Sequence, residues 1–196
     1  MTRDPFERFG AVPSFLVSSD DVSDGRPLAR EQWAVGSGGG GISPQLSWSG
    51  FPPETKSFAV TIHDPDAPTG SGFWHWAVYD IPPAVTELPT DAGAEGGGNL
   101  PQGAAMLSNE LGSKSFTGAA PPPGTGTHRY DIVVHALDVD RLDIGPDSTP
   151  AVLGFNAHFH TLARAVICPV ATAGARASAR NTTPSSNSWR GIASPR

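Results

Sequence analysis

Short apolar runs separated by turn-forming residues dominate the hydrophobic pattern of this chain. The run 56–63 alternates, with Phe58, Val60 and Ile62 on one face, as expected for a strand with one buried side. Two other runs, 73–79 and 130–137, are apolar on both faces, which favours central positions in a sheet. The pattern predicts strands at 14–17, 45–48, 56–63, 73–80 and 128–139.

One segment has the pattern of a helix. Thr149 can cap its N terminus, and Pro150 can occupy the first helical position. Apolar residues then recur at roughly helical spacing, at Leu153, Phe155, Phe159, Leu162 and Val166. We therefore expect one helix that reaches Val166 and packs over one end or edge of the sheet.

Composition supports a mainly β domain. Of the 196 residues only 16% are charged, whereas 23 are glycine and 20 are proline, so turns are many and long surface helices few. No stretch is apolar enough to span a membrane, and residues 1–10 lack the apolar core of a secretion signal. The single cysteine, Cys168, gives no disulfide framework, so we expect a cytoplasmic protein.

Charged residues are unevenly distributed along the chain. Residues 169–196 hold four of the 13 basic residues and no acid, so nine basic and 19 acidic residues remain in 1–168, a charge of −10. An acidic body repels phosphate backbones, which argues against binding to nucleic acid. We expect an N-terminal extension at 1–11, one domain at 12–168 and a disordered, basic, low-complexity tail at 169–196.

Two aspartates are the first candidates for a site. Asp64 and Asp66 are two residues apart, so in an extended chain they point the same way, and Pro65 and Pro68 stiffen the segment. Two such carboxylates can orient imidazoles, accept hydrogen bonds from a ligand or hold a metal. On this motif alone a simple turn built from Asp and Pro is the preferred interpretation.

The histidines add to this picture. Strand alternation places His75 opposite Trp74 and Trp76, close in sequence to the aspartates. His128 and Tyr130 share a strand face after a Pro/Gly turn whose backbone N–H groups suit an anion. The residue between them, Arg129, points the other way, and a structural ion pair is its expected role.

Other apparent motifs carry less chemistry. The glycines at 36–41 formally match a dinucleotide-binding motif. However, Pro44 blocks the helix that should follow them, and the sequence has no βαβ pattern, so we expect a loop. His158 and His160 are two apart on the predicted helix and cannot face one metal. Cys168 has no evident base partner. We therefore expect neither a metal nor a cofactor.

Taken together, the motifs resemble those of the phosphatidylethanolamine-binding protein family, also called the Raf kinase inhibitor family, and within it the bacterial branch. The resemblance extends over residues 12–168. The matching segments, in order, are Ser43-Pro44-Gln45-Leu46-Ser47-Trp48, Ser57-Phe58-Ala59-Val60, Asp64-Pro65-Asp66-Ala67-Pro68, Phe73-Trp74-His75-Trp76-Ala77-Val78, residues 121–130 and a helix at 153–165.

The resemblance implies two antiparallel sheets, one of them large and central, with peripheral helices. It also implies a small pocket at one rim for phosphate or a phosphorylated head group, and often a homodimer. The family's pocket positions fall on Asp64, Asp66, Pro68, His75, Gly118, His128 and Tyr130. Ala120 and the long basic tail depart from the bacterial pattern, and the tail leaves the expected closing strand in doubt.

The favoured hypothesis is a binding protein for small anions, without catalytic activity. His75 and His128 would donate hydrogen bonds, and the aspartates would orient an imidazole or receive an ammonium group, with binding improving below about pH 6.5. One alternative is an inhibitor of a kinase or serine protease that acts through a protein surface. A second alternative is a hydrolase of phosphate esters.

Overall fold

The computed structural model describes residues 5–174 of the chain. Ten strands and one α-helix are found in this part. The strands are β1 Leu16–Ser18, β2 Leu46–Ser49, β3 Ser57–Asp64, β4 Phe73–Ile81, β5 Glu87–Leu88, β6 Ala105–Met106, β7 Thr127–Arg129, β8 Asp131–Leu137, β9 Thr161–Ile167 and β10 Val170–Thr172. The helix, α1, spans Pro150–His158, and no helix between residues 5 and 174 has the length and hydropathy needed to cross a membrane.

A five-stranded antiparallel sheet in the order β6-β4-β3-β8-β9 forms the centre of the molecule. A three-stranded sheet, β1-β2-β5, and a two-stranded ribbon, β10-β7, accompany it. The predicted mainly β fold with a large central antiparallel sheet is confirmed. The long strand predicted at 128–139 is two strands, because the chain leaves the ribbon at Tyr130 before it enters the central sheet.

The two faces of the central sheet bury different side chains. Phe58, Val60 and Ile62 pack on the face toward the three-stranded sheet, as their alternation predicts. The opposite face carries small residues, Ala59 and Ala77 among them, against which α1 packs Leu153 and Ala157. This second face also carries a cavity of about 840 Å³, whose lining includes Trp74 and His135.

The helix is shorter than its apolar spacing predicts. Thr149 caps it by accepting a hydrogen bond from the Val152 amide, and Pro150 is its first residue, as expected. It ends at His158, and the predicted continuation to Val166 is wrong, because residues 161–167 form β9 and pair with β8. Pairing along a neighbouring strand outweighs an approximate helical period.

One more strand, β10, follows Cys168. Strand β10 pairs with β7, with Ala171 opposite His128, so a closing strand is present despite the departure from the bacterial pattern. The rest of the predicted tail, residues 175–196, lies outside the described residues, as do residues 1–4 of the predicted N-terminal extension.

Candidate functional site

The Asp64 carboxylate is a buried link between two chain segments. At the end of β3, its Oδ1 accepts the backbone N–H of Asp66 at 2.8 Å, which closes a local turn. Its Oδ2 accepts a hydrogen bond from Nδ1 of His128 at 2.7 Å. Both side chains are buried. The turn preferred from sequence and the candidate site therefore share this carboxylate. Oδ1 closes the turn, and Oδ2 binds His128.

The imidazole of His128 is held at both nitrogens. The Thr125 hydroxyl donates its single hydrogen to the Pro122 carbonyl at 2.7 Å, because a carbonyl can only accept. The same hydroxyl oxygen lies 2.7 Å from Nε2 of His128 and therefore accepts from it. Because Nδ1 is bound to Asp64, partners at both nitrogens fix the orientation of the ring.

A β-bulge directs His75 into the same region. Opposite β3, Ile62 pairs with Trp76 and His63 pairs with Trp74, so His75 is an extra residue in β4. The bulge places His75 on the side of buried Trp76, whereas Trp74 turns to the other face and stacks on His63 with ring centres 4.2 Å apart. The predicted strict alternation of these three residues is wrong, since a bulge re-aims a side chain.

Burial keeps the His75 ring neutral. Its Nδ1–H donates to the Thr117 carbonyl at 2.7 Å. Burial lowers the pKa of His75 to about 4, and the Thr117 carbonyl and the charge of Asp64 offset only part of this effect. Near neutral pH, Nε2 is therefore an unprotonated acceptor.

Tyr130 lies against His75, with ring centres 5.0 Å apart. Its buried hydroxyl makes no hydrogen bond to the described residues. Burial, followed by the charge of Asp64, raises the pKa of Tyr130, and the backbone of Ala120 offsets part of this at a geometry too poor for a hydrogen bond. An unsatisfied buried hydroxyl typically costs about 1–3 kcal/mol, so this donor suits an incoming oxygen.

Gly118 permits the close packing beside these rings. A Cβ atom there would lie 2.3 Å from backbone atoms of both Trp33 and Ala34. Its backbone is near enough to His75 to influence the pKa of that ring. Only glycine therefore fits between the neighbouring loop and the site.

The remaining predicted positions lie at the edge of this cluster. Both oxygens of Asp66 are bound by Arg129, at 2.8 Å from Nε and 2.9 Å from Nη2, and the Arg129 backbone amide adds a third bond. This pairing lowers the pKa of Asp66. The ion pair expected for Arg129 is present, while Pro68 is exposed on the loop. Asp66 thus contacts Arg129 and not the buried cluster.

Two partners of the cluster were not predicted from sequence. Thr117 acts through its carbonyl, which any residue carries, so the sequence holds no signal for it. Thr125 lies in the Pro/Gly turn three residues before His128. A hydroxyl three residues before a histidine at the end of a turn is a sequence signal for this contact.

Neither metal binding nor thiol chemistry has support among the described residues of this region. Within residues 5–174, no three His, Cys, Asp or Glu side chains form a group that could hold a metal ion. The thiol of Cys168 donates to Asp131 at 3.2 Å, and burial raises the pKa of Cys168 to about 12. A thiol with that pKa is a poor nucleophile at neutral pH.

Comparisons with known proteins agree on one family. The family model described as phosphatidylethanolamine-binding protein matches residues 18–170. The Escherichia coli proteins YbcL and YbhB are 45% and 46% identical to this chain, covering 80% and 76% of it and 87% and 94% of their own lengths.

Solved structures give the same result. The crystal structure of E. coli YbcL, described as a member of the mammalian PEBP family, superposes with a TM-score of 0.79 at 44% identity. It covers 82% of this chain and 99% of its own. A phosphatidylethanolamine-binding protein homolog from Chlamydia trachomatis gives a TM-score of 0.69 at 28% identity, with the same coverage.

Proposed function

The chain belongs to the phosphatidylethanolamine-binding protein family, and we propose that it is a non-catalytic binding protein for small phosphorylated ligands. The observation that carries the proposal is the pairing of a buried, unsatisfied Tyr130 hydroxyl with the neutral ring of His75. One group offers a hydrogen and the other a lone pair, within one buried cluster.

This pair of groups suits a phosphate that keeps one proton. The Tyr130 hydroxyl can donate to a phosphoryl oxygen, while Nε2 of His75 can accept from a P–OH group. Asp64 and His128 compensate each other's charge, so the cluster offers little net positive charge to a dianion. We therefore infer that the site prefers a phosphate monoanion, or a head group such as phosphoethanolamine that also carries an ammonium.

The same contacts argue for binding and against catalysis. Both oxygens of Asp64 and both nitrogens of His128 are already engaged in hydrogen bonds. His75 has a free Nε2, but a pKa of about 4 makes it a weak base at neutral pH. The carboxylate is thus an orienting group and not a general base.

Removal of the Tyr130 hydroxyl tests the proposal. For Tyr130→Phe we expect unchanged or slightly higher stability, because no residue between 5 and 174 bonds to the hydroxyl. Affinity for methyl phosphate should be about five- to tenfold lower, from a lost hydrogen bond of about 1 kcal/mol. Tyr79→Phe is the matched control, since it removes the chain's other phenol on the opposite face of the sheet. Calorimetric titration and thermal unfolding supply the two readouts.

The pH dependence of binding provides a second test, because methyl phosphate loses its remaining proton near neutral pH. The second pKa of a phosphate monoester is about 6, so affinity for methyl phosphate should rise as the pH falls from 8 to 6. Dimethyl phosphate has no proton to lose in this range and should show a weaker pH dependence. Equal losses in Tyr130→Phe and Tyr79→Phe would contradict the site. Phosphate release from methyl phosphate that disappears in His75→Asn would favour the hydrolase alternative instead.

Two expectations from the family resemblance stay predictions, namely inhibition of a kinase or serine protease and a homodimer. The cytoplasmic location expected from the single cysteine and residues 1–10 also stays a prediction. A pull-down that compares the wild type with Asp64→Ala/His128→Ala separates the first from ligand binding, because an inhibitor that acts through its surface should tolerate both changes. Sedimentation velocity addresses the dimer.

A further inference from the structure

A cavity lies on the face of the central sheet opposite to the ligand site proposed above. Its volume is about 840 Å³, within the range of about 300–1,000 Å³ typical of small-molecule sites. The N-terminal segment 5–9 forms one wall and helix α1 another, with Trp74 and His135 of the sheet between them. The buried residues of the proposed ligand site, His75 among them, are not part of this lining, so the cavity is a separate place.

Paired rings of the sheet and of the N-terminal segment line the inner part of the cavity. In the sheet, His63 lies on Trp74 with ring centres 4.2 Å apart. In the N-terminal segment, the ring of Phe6 packs edge-on against His135 with centres 5.1 Å apart. All four rings belong to the lining. A molecule inside the cavity therefore meets the rings of two separate pairs.

The helix adds rings at the opening. Phe155 and Phe159 pack edge-on at 5.2 Å and are 68% and 64% exposed. Phe9 of the N-terminal segment is 52% exposed and lies 6.2 Å from the ring of His158. Exposed apolar side chains that gather at one cavity usually mark a binding site. Rings in the lining favour rings in the ligand, because aromatic pairs gain more than the burial of their area alone.

The charged side chains of the described lining do not favour one sign of charge. Arg129 is paired with Asp66 through two hydrogen bonds. The guanidinium of Arg164 lies over a ring of the N-terminal segment at 5.2 Å and donates to the backbone carbonyl that follows this segment at 3.1 Å. Arg8 and Asp131 carry opposite charges. An uncharged ligand avoids the cost of desolvating a charge, which a lining of mixed sign would not offset.

We propose that this cavity binds an uncharged molecule built of flat aromatic rings, which packs between the His63–Trp74 pair and the phenylalanines of α1. Segment 175–196 of the chain itself is a poor occupant, because it holds four arginines and a single aromatic residue, Trp189. The probe is N-phenylnaphthylamine, an uncharged dye whose fluorescence rises in apolar surroundings. Its comparison is anilinonaphthalene sulfonate, which has the same rings and one negative charge. We expect the sulfonate to bind about threefold more weakly or worse.

Two competitors test whether the aromatic character of the ligand matters. Naphthol and decahydronaphthol have the same carbon skeleton and the same hydroxyl group, but only naphthol has flat aromatic rings. Naphthol should displace the probe at about fivefold lower concentration, the scale of one aromatic pair. Methyl phosphate should not displace the probe, because it belongs to the ligand site on the other face.

A variant of an exposed ring tests the location. Phe155→Leu keeps an apolar side chain at the cavity and removes one ring, and the exposure of Phe155 makes a folding defect unexpected. The matched control is Val152→Leu, a conservative change on α1 outside the lining. Affinity for the probe should fall about fivefold in Phe155→Leu and by less than about twofold in Val152→Leu. Thermal unfolding checks that both variants fold.

Nitrogen-15 NMR of the wild type locates the ligand without any variant. On addition of naphthol, the amide resonances of Ser71 and Gly154, which line the cavity, should move. The amide resonances of Gly118 and Thr125, which lie at the ligand site on the other face, should stay. The opposite pattern would place naphthol at that site and would contradict the proposal.

Other results would also overturn the proposal. These are a sulfonate that binds as tightly as the uncharged probe, equal displacement by naphthol and decahydronaphthol, unchanged affinity in Phe155→Leu, or displacement of the probe by methyl phosphate. A dimer in sedimentation velocity that the probe dissociates would show instead that two copies of the chain meet at this face.

Discussion

The buried imidazole of His75 should make the fold lose stability as the pH falls below the ordinary histidine range. The ring has a pKa of about 4 in the folded protein, against 6.5 for an exposed histidine. Between these values the unfolded chain binds a proton that the folded chain excludes, so acid favours unfolding. The contribution of His75 is thus fully present above pH 6.5 and is lost as the pH falls toward 4.

The size of the effect follows from the two pKa values. At about 1.4 kcal/mol per pH unit, the full loss is about 3 kcal/mol below pH 4. At pH 5 it is already about 2 kcal/mol, because most of the unfolded rings are then protonated and few of the folded ones are. This is a large share of the about 5–15 kcal/mol that stabilises a typical domain.

His75→Asn isolates this contribution. The asparagine amide can still donate to the Thr117 carbonyl but does not titrate. At pH 7.5 the variant should be less stable by about 1–2 kcal/mol, since ring volume is lost from a buried site. At pH 5 the wild type should have lost about 2 kcal/mol relative to the variant, so the difference in unfolding free energy closes or reverses.

Urea unfolding at pH 7.5, 6.5, 5.5 and 5.0 measures this difference. His158→Asn, at the exposed end of α1, controls for the loss of a histidine as such. If the free-energy difference between wild type and His75→Asn stays constant within about 0.5 kcal/mol, the ring titrates normally and the reasoning from burial fails. A His75 Hε1 resonance that moves between pH 7.5 and 5.5 would lead to the same conclusion.

Three further predictions concern the surroundings of the site. Gly118→Ala should cost about 3 kcal/mol or more in urea unfolding, because its Cβ would overlap backbone atoms, whereas Gly98→Ala, in open space, should change stability by less than about 0.5 kcal/mol. Asp66→Asn should cost only about 0.5–1 kcal/mol, and high salt should reduce the difference, because the arginine that it binds is half exposed. In nitrogen-15 NMR spectra the Nε2 proton of His128 should be protected from exchange in the wild type, because Thr125 accepts it, and Thr125→Val should expose it to rapid exchange.

Features that depend on a short stretch of chain were predictable from sequence. The buried face of β3 follows from the period of two at Phe58, Val60 and Ile62, whatever strands lie beside it. The start of α1 follows from a cap and a proline that act within one turn. The gathering of Asp64 and His128, 64 residues apart, came from the family resemblance and not from a local pattern.

Features that depend on how two strands pair could not be predicted from local sequence patterns. The direction of His75 depends on the bulge between β3 and β4, which is a property of two strands in register and not of either sequence. Residues 161–167 carry an approximate helical spacing, yet they form β9 because β8 offers an unpaired edge along six positions. Low pKa values such as that of His75 also follow only from the packing around the ring.

The loop after β3 connects the two faces of the sheet, and this separates the roles of its two aspartates. Asp64 turns inward to His128. Asp66 binds Arg129, and Pro65 and Arg129 line a cavity of about 840 Å³ on the opposite face of the sheet. A change at Asp64 therefore acts on the buried cluster, because its Oδ2 holds Nδ1 of His128 at 2.7 Å. A change at Asp66 acts first on Arg129 and so on the charge of the cavity. The two aspartates, equivalent in the sequence pattern, thus act on opposite faces of the sheet.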